Sequence, residues 1–410
     1  MVDNAPAECN SIFAGRREDN RVEVEMPLNS VEFLAWGLLA VSLAGCVYLG
    51  ISVWAVRRLQ QPRSRRRVAT APVTVLKPLC GVDADLAANL RSFCTQDYPQ
   101  FQVVFGVSDA DDPAISVVRQ LMAELPAADL ALVIDGRRRG RNLKVANLQN
   151  MLPAARHDIL VIADSDMRVE RHYLAEMCAP LADPAVGIVT CLYRGVPAGG
   201  VWSRLACLHV NHGFLPQAAL ADALGAGAGC FGASIGLRRE TLDRIGGLGA
   251  IADDLADDHA LGAAVRRLGL PIELSSLLVD NVIVEPSLDA LFRHELRWAR
   301  TIRLVAPLGF LGSIVTQPVV TAALALALGA LPVAASAMLA LALGCRAVSV
   351  RLIDRSLRLP ASPLYLLPLR DVLSFAVFVA SFFARRVEWR DRTFQVGPNG
   401  RLTLDGDSPA

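Results

Sequence analysis

A chain of 410 residues, 53% of them hydrophobic and with a formal net charge of +1, has room for one large catalytic domain together with membrane segments. So apolar and nearly neutral a composition argues against a nucleic-acid-binding protein. The nine cysteines (Cys9, Cys46, Cys80, Cys94, Cys178, Cys191, Cys207, Cys230 and Cys345) form no CxxC pair and no Cys/His cluster of zinc spacing, a pattern that suits reduced thiols in a cytoplasmic compartment.

In chain order, residues 1–30 read as an acidic leader carrying Glu18, Asp19, Glu23 and Glu25. Phe33 to Val56 holds no charged residue. As a helix it rises about 36 Å, enough to cross a bilayer and too much for the apolar core of a cleaved signal peptide. We therefore expect an uncleaved transmembrane anchor over 31–56. A basic linker, 57–71, follows with Arg57, Arg58, Arg63, Arg65, Arg66 and Arg67, and the positive-inside rule places this flank and the domain behind it in the cytoplasm.

The polar region, 72–303, alternates short β-rich runs with helical patterns. Strands are expected over 73–76, 102–108, 130–134, 159–163, 186–190, 233–237 and 272–279, and helices over 84–94, 114–124, 143–151, 171–181, 202–220 and 255–268. Such alternation implies an α/β domain with a mainly parallel sheet and helices on both faces. Ligands of such sheets bind outside the carboxyl ends of the strands. No GxGxxG or GxxxxGK[ST] loop occurs, which argues against a dinucleotide or P-loop enzyme.

After Arg303 a charge-free run extends from Leu304 to Cys345, too long for one span, with Gly329 and Pro332 near its middle. A transmembrane hairpin is expected over 304–350. Region 351–385 reads as a basic loop and a final membrane segment in which Arg370 and Asp371 sit in or near the bilayer, as a pair. Four full spans would put the 386–410 tail outside, and a re-entrant last segment would keep it inside. The sequence leaves both open.

Asp164-Ser165-Asp166 is a DxD at a strand end. Its two carboxylates suit a hard divalent cation, Mg²⁺ or Mn²⁺, that bridges a diphosphate, and they suit a solvated turn or a helix N-cap equally well. Asp253, Asp254, Asp257 and Asp258 follow a Gly-rich stretch. They read as helix N-terminal charge or as the source of a general base. Lys77 and Lys144 are candidate nucleotide contacts or ordinary surface lysines. His212 is a donor contact or a structural histidine. Arg297 and Trp298 are a phosphate clamp and a packing ring, on a stripe (Arg293, Arg297, Arg300, Arg303) that also suits anionic lipid.

Taken in order, several motifs resemble family 21 of the glycosyltransferases, the ceramide glucosyltransferase-like enzymes: Val75-Leu76-Lys77-Pro78-Leu79-Cys80-Gly81-Val82-Asp83, Gln96-Asp97-Tyr98-Pro99, Ser108-Asp109 with Asp112-Pro113-Ala114-Ile115, Asn142-Leu143-Lys144-Val145-Ala146-Asn147-Leu148, and Asp164-Ser165-Asp166-Met167-Arg168-Val169. Within the family, the catalytic region and hydrophobic C-terminal third are similar to the hopanoid-biosynthesis glycosyltransferases of bacteria. The resemblance covers about residues 70–305. It implies a GT-A domain with N- and C-terminal membrane helices, and inverting transfer of N-acetylglucosamine from UDP-N-acetylglucosamine to a hopanoid polyol (bacteriohopanetetrol). It also implies residence in a bacterial inner membrane.

By position, the resemblance implies that Asp109 holds the uridine and Asp164 lies near diphosphate and metal. Asp258 would be the base, and His212 and the Arg297-Trp298 pair would contact the donor. His294 stands where the family pattern has Gln or Arg, a departure that bears on the acceptor. The rival readings are a UDP-glucose ceramide glucosyltransferase, a processive polysaccharide synthase and an inactive membrane scaffold.

Overall fold

The structure, a computed structural model, describes residues 29–61, 70–83, 85–225 and 229–383, and the backbone of three strands within 386–404. The acidic leader, Cys9 and Arg63 to Arg67 lie outside the described residues. Helix α1 (Ser30–Leu59) opens on a capping box. The Asn29 side chain accepts the Glu32 N–H at 2.8 Å, and the Glu32 carboxylate accepts the Asn29 N–H at 3.1 Å, satisfying two orphan donors of the first turn.

The polar domain then runs β1 (Val73–Leu79), α2 (Leu86–Cys94), β2 (Phe101–Val107), α3 (Ala114–Glu124), β3 (Leu130–Ile134), α4 (Leu143–Met151), β4 (Ile159–Ala163), β5 (Met167–Arg168), α5 (Tyr173–Cys178), β6 (Ile188–Pro197), α6 (Val201–His209), a π-helical turn (Val210–Phe214), α7 (Leu215–Ala223), β7 (Ser234–Arg238), α8 (Arg239–Arg244), α9 (Asp257–Arg267), β8 (Ile272–Ile283) and α10 (Leu288–Val305). The strands form one eight-stranded sheet in the order β3-β2-β1-β4-β7-β6-β8-β5. Strands β1, β2 and β4 are almost wholly buried, as expected of strands covered on both faces. One core layer joins them to α2, α3 and α5, the other to α4, α8 and α9.

The expected mainly parallel sheet is corrected to a mixed one. The pairs β3–β2, β2–β1, β1–β4 and β6–β8 are parallel, whereas β4–β7, β6–β7 and β5–β8 are antiparallel. The helices between β6 and β7 return the chain to the end of the sheet it had just left, so β7 runs backwards between its neighbours. Periodicity reports that a helix intervenes and carries no record of where it lets the chain down. The start of β7 therefore joins the carboxyl ends of β1, β2 and β4 along one edge.

Beyond α10 come α11 (Pro307–Gly312), α12 (Pro318–Ala327), α13 (Pro332–Leu357), α14 (Leu367–Ala380) and a three-stranded antiparallel sheet, β9 (Arg386–Trp389), β10 (Arg392–Val396) and β11 (Leu402–Leu404). Helices α1 and α13 are each long and apolar enough to cross a membrane, and Pro307–Thr316 with Pro318–Ala327 qualifies as a pair bent by 71°. The turn near Gly329 is present, with φ of +69°. The first arm of the expected hairpin is broken at Pro318, which has no N–H to continue a helix. Helix α1 packs on this break so closely that a Cβ added at Gly45 would lie 2.6 Å from the Val315 carbonyl.

Arg370 and Asp371 are buried as a charged pair of neighbours, but each has its own partner. Arg370 makes a two-pronged bond to Glu295 of α10, 2.7 Å on each arm. Asp371 accepts Arg346 of α13 at 3.1–3.2 Å.

Candidate active site

The parallel β1, β2 and β4 deliver Gly81, Asp109 and the Asp164–Asp166 turn to one sheet edge. Asp109 is exposed there, and its carboxylate accepts the local Asp111 N–H at 3.0 Å. Its neighbour Asp112 ties the loop after β1 to the start of α3, accepting the Gly81 N–H at 2.9 Å and the Ala114 N–H at 2.8 Å.

Lys144 enters on the first turn of α4. Asn142 caps that helix, its side-chain oxygen accepting the N–H groups of Lys144 and Val145 at 3.0 and 3.1 Å. The loop before the cap lies against the acidic stretch. The Asn142 N–H donates to the Ala252 carbonyl at 2.8 Å and the Arg141 N–H to Asp253 at 3.0 Å. Gly140 permits this approach: its φ is +96°, and a Cβ would lie 2.5 Å from that of Ala252. Lys144 Nζ consequently sits between two carboxylates, 2.7 Å from Asp164 and 3.2 Å from Asp257. Burial works against its charge, but Asp164 and Asp257 outweigh that and hold the ammonium above the ordinary lysine range.

Asp166 is partly buried, and its carboxylate accepts the Asn281 amide at 2.8 Å. Burial first, then the charge of Asp164, push its carboxyl up to about 6. Asp258 opens α9, where the two acids of the first turn meet the positive end of the helix dipole. One carboxylate oxygen accepts the Gly232 N–H at 2.9 Å and the other the His259 N–H at 2.7 Å. Burial and the charge of Asp257 raise this carboxyl to about 6, although Lys144 pulls the other way.

The remaining residues singled out from the sequence take other places. Lys77 is fully buried; its ammonium donates to the Asp164 backbone carbonyl and lies 3.8 Å over the Phe93 ring. Burial lowers it to about 7, with Asp166 and Asp164 opposing. From behind the DxD turn it supports Asp164 rather than presenting itself at the surface. The His212 ring is buried against Ser362 and Asp354, 3.0 and 3.1 Å from Nε2; among the described residues it bonds to none of the carboxylates above. Arg297 and Trp298 lie on α10, which packs against α6, α11 and α14. There the Trp298 ring meets His294 edge-on at 4.5 Å, and His294 Nδ1 is 2.7 Å from Glu285.

Sequence reasoning missed Asn281 on β8 and Gly232 just before β7, which long-range strand pairing brings to the acidic edge. A shallow cavity of about 610 Å³ lined by Phe101, Leu125 and Asp129 lies at the amino ends of β2 and β3, away from the acidic edge.

Among the described residues no group of three or more His, Cys, Asp or Glu is arranged to hold a metal ion. Asp164 and Asp166 nevertheless fit an ion of the Mg²⁺ type, which takes one or two protein carboxylates and completes its shell with phosphate and water.

The sequence model of glycosyl transferase family 21 matches residues 37–402. Ceramide glucosyltransferase 1 of Caenorhabditis elegans is 24% identical over 277 residues, 63% of this chain and 58% of that protein. A ceramide glucosyltransferase of Komagataella phaffii is 32% identical over 133 residues, 30% of this chain and 26% of that one. The chain thus spans little more than half of the first relative and about a quarter of the second. Among solved structures, the mannosyltransferase PcManGT from Pyrobaculum calidifontis, in complex with GDP-Man and Mn²⁺, superposes with a TM-score of 0.51 at 21% identity, covering 86% of this chain and 98% of that one. This likeness supports a GT-A-like glycosyltransferase fold.

Proposed function

Because the chain belongs to glycosyl transferase family 21, we propose that it is a membrane enzyme transferring a hexose from a nucleoside diphosphate sugar to a hydroxyl of a lipid, with inversion. The observation that carries this reading is the acidic edge: a lysine clamped between Asp164 and Asp257, a two-carboxylate turn, and Asp258 held by two backbone N–H groups. Asp109 binds the uridine end of the donor, and Lys144 meets the diphosphate. Asp164 and Asp166 would hold a divalent cation, whose charge would offset that of the departing nucleotide. The acceptor oxygen attacks the anomeric carbon as its bond to the diphosphate breaks, and the hydroxyl proton passes to the Asp258 carboxylate. Lys77 and His212 act indirectly in this scheme, from behind the DxD turn and from the membrane side, and Arg297 and Trp298 act from the α10 helix.

The relatives named above, ceramide glucosyltransferases by name, favour transfer of glucose to ceramide over transfer of N-acetylglucosamine to a hopanoid polyol. The second reading rests on His294, which stands at the family's Gln/Arg position and meets the Trp298 ring edge-on. Membranes carrying the protein, incubated with labelled UDP-glucose and UDP-N-acetylglucosamine and followed by mass analysis of extracted lipids, test both. A labelled sphingolipid supports the first and a labelled hopanoid the second, and no labelled lipid with either donor refutes the proposal.

The helix packing supports three crossings with the catalytic domain on the cytoplasmic side. The carboxyl ends of α1 and α13 pack together on α7 through Val56, Leu59, Leu215 and Ile353, and both carry arginines: Arg57, Arg58, Arg351 and Arg355. The other end of α1 meets the α12–α13 turn through Leu39, Ala325 and Ala335. Helix α14 has 14 residues, about 21 Å, short of a ~30 Å core. Its Arg370 is tied to α10, so this segment stays on the catalytic side. A thiol reagent unable to cross the membrane should label a cysteine at residue 331 in intact cells and spare one at residue 400; the opposite pattern refutes this arrangement.

A further inference from the structure

Three aromatic rings stand between the membrane helices and the acidic edge, and the chemistry above does not use them. Tyr193 of β6 stacks on Phe214, with centroids 4.9 Å apart and planes at 26°, and Phe214 meets Phe231 edge-on at 5.7 Å and 82°. All three rings are only partly buried. At one end of the line, Phe231 immediately precedes Gly232, whose N–H holds Asp258 at 2.9 Å. The Tyr193 hydroxyl lies within the electrostatic field of Asp164, Asp166 and Asp258. Phe214 and Phe231 also pack on the cluster formed by the α1 and α13 termini, with Val53, Val56 and Ile353. Apolar surface is therefore continuous from the membrane helices to the residue beside the proposed base.

The line is also held in place. Phe214 closes the π-helical turn, and helix residues two apart point to roughly opposite sides. His212 is accordingly fastened to Asp354 while Phe214 faces Tyr193. Asn211 fixes the same turn to β6, accepting the Gly195 N–H at 2.7 Å and donating to its carbonyl at 3.0 Å. Arg346 of α13 donates to the His212 carbonyl at 3.0 Å. A π turn interrupting a helix recurs at functional sites, and rings fixed on a rigid support suit recognition.

We propose that Tyr193, Phe214 and Phe231 form the track on which the apolar part of a lipid acceptor lies, next to its reacting hydroxyl, so that the hydroxyl arrives at Asp258. The proposal rests on the reading of the protein as a lipid glycosyltransferase. A lipid is the occupant because the same rings pack on the membrane-helix cluster and lead to the Gly232 loop that holds the proton acceptor.

The test uses the full-length protein in detergent and lipid micelles with the variants Phe214→Leu, Phe231→Leu and Phe214→Tyr. The leucines retain an apolar side chain, and the tyrosine retains the ring. KM and kcat are measured for the lipid identified by mass analysis, together with UDP-sugar affinity by calorimetry and the thermal unfolding temperature. We expect each leucine variant to raise KM for the lipid by about 10-fold or more, the loss expected when much of an aromatic contact is removed. Donor affinity and unfolding temperature should stay near wild type, and Phe214→Tyr should keep the wild-type KM. An unchanged lipid KM in both leucine variants overturns the track alone. So does an equal loss of donor affinity, which would make the rings part of the donor site. If the wild-type protein binds UDP-sugar but transfers to no lipid, the lipid reading falls, and the track with it.

Discussion

Replacing Asp258 by Asn should weaken the enzyme and strengthen the fold at the same time, with a pH dependence that identifies the cause. In the folded protein burial and Asp257 hold this carboxyl near 6, against an ordinary value of 3.8. At ~1.4 kcal/mol per pH unit, ionising it above pH 6 costs the folded state on the order of 3 kcal/mol relative to the unfolded chain. The sign follows from proton binding. A raised carboxyl contributes stability that is fully present below 3.8 and is lost as pH rises from there through 6. Asparagine removes that loss, but its single side-chain oxygen cannot accept both the Gly232 and His259 N–H groups, which costs about 1 kcal/mol. The net gain is about 2 kcal/mol at pH 7.5 and well under 1 kcal/mol at pH 5, where wild-type Asp258 is already largely protonated. Thermal melts in detergent with chelator and without nucleotide should show Asp258→Asn several degrees above wild type at pH 7.5, the gap closing towards pH 5. Turnover should fall by on the order of 10²–10⁴ while UDP-sugar binding survives. A stability gap independent of pH would refute the electrostatic account. Near-native turnover would move the base to Asp254 or Asp257.

Other outcomes are open to simpler assays. EDTA should abolish transfer and Mg²⁺ or Mn²⁺ restore it, with Asp166→Asn weakening the metal response; full activity in exhaustive chelator refutes the two-carboxylate metal site. Lys144 lowers the Asp258 carboxyl, so Lys144→Met should move the acidic limb of the kcat profile to higher pH and weaken donor affinity about 10-fold or more; an unmoved limb refutes the coupling. Glu295→Gln should destabilise the protein by about 3–5 kcal/mol because it leaves Arg370 buried without its charge partner, and Glu295→Leu combined with Arg370→Met should recover most of that loss. Melting temperatures of the single and double variants decide it, and additive losses refute the pairing argument.

Much of the fold was legible where a strand is a continuous apolar run flanked by turn residues. The half-buried edge strand Leu130–Ile134 and the fully buried Ile159–Ala163 are such runs, and both fall where expected. Strand direction was not legible, nor was the length of β6 and β8, which extend to Pro197 and Ile283 by pairing with each other. Within the site, the sequence pointed to Asp109, Asp164, Asp166 and Lys144 because carboxyl ends of parallel strands and a capped helix start are readable positions. Asn281 and Gly232 reach the site through long-range pairing and the start of a reversed strand, and no local pattern marks either. Lys77 shows the limit of composition, since nothing in Val73–Leu79 announces that its one charged side chain is wholly enclosed. His212 shows another, because a π turn shifts which side of a helix each residue faces.

The bond between Glu295 and Arg370 also decides how this protein can be divided. A fragment ending at Val305 would retain every residue of the acidic edge and still carry the carboxylate of Glu295 in an apolar seam, stripped of the guanidinium that the last helix supplies. Such a piece would have to flood the seam with water or protonate the acid. The boundary that looks natural from hydropathy therefore cuts through a shared interior, and catalytic domain and membrane base are better regarded as one folding unit that is inherited, expressed and lost together.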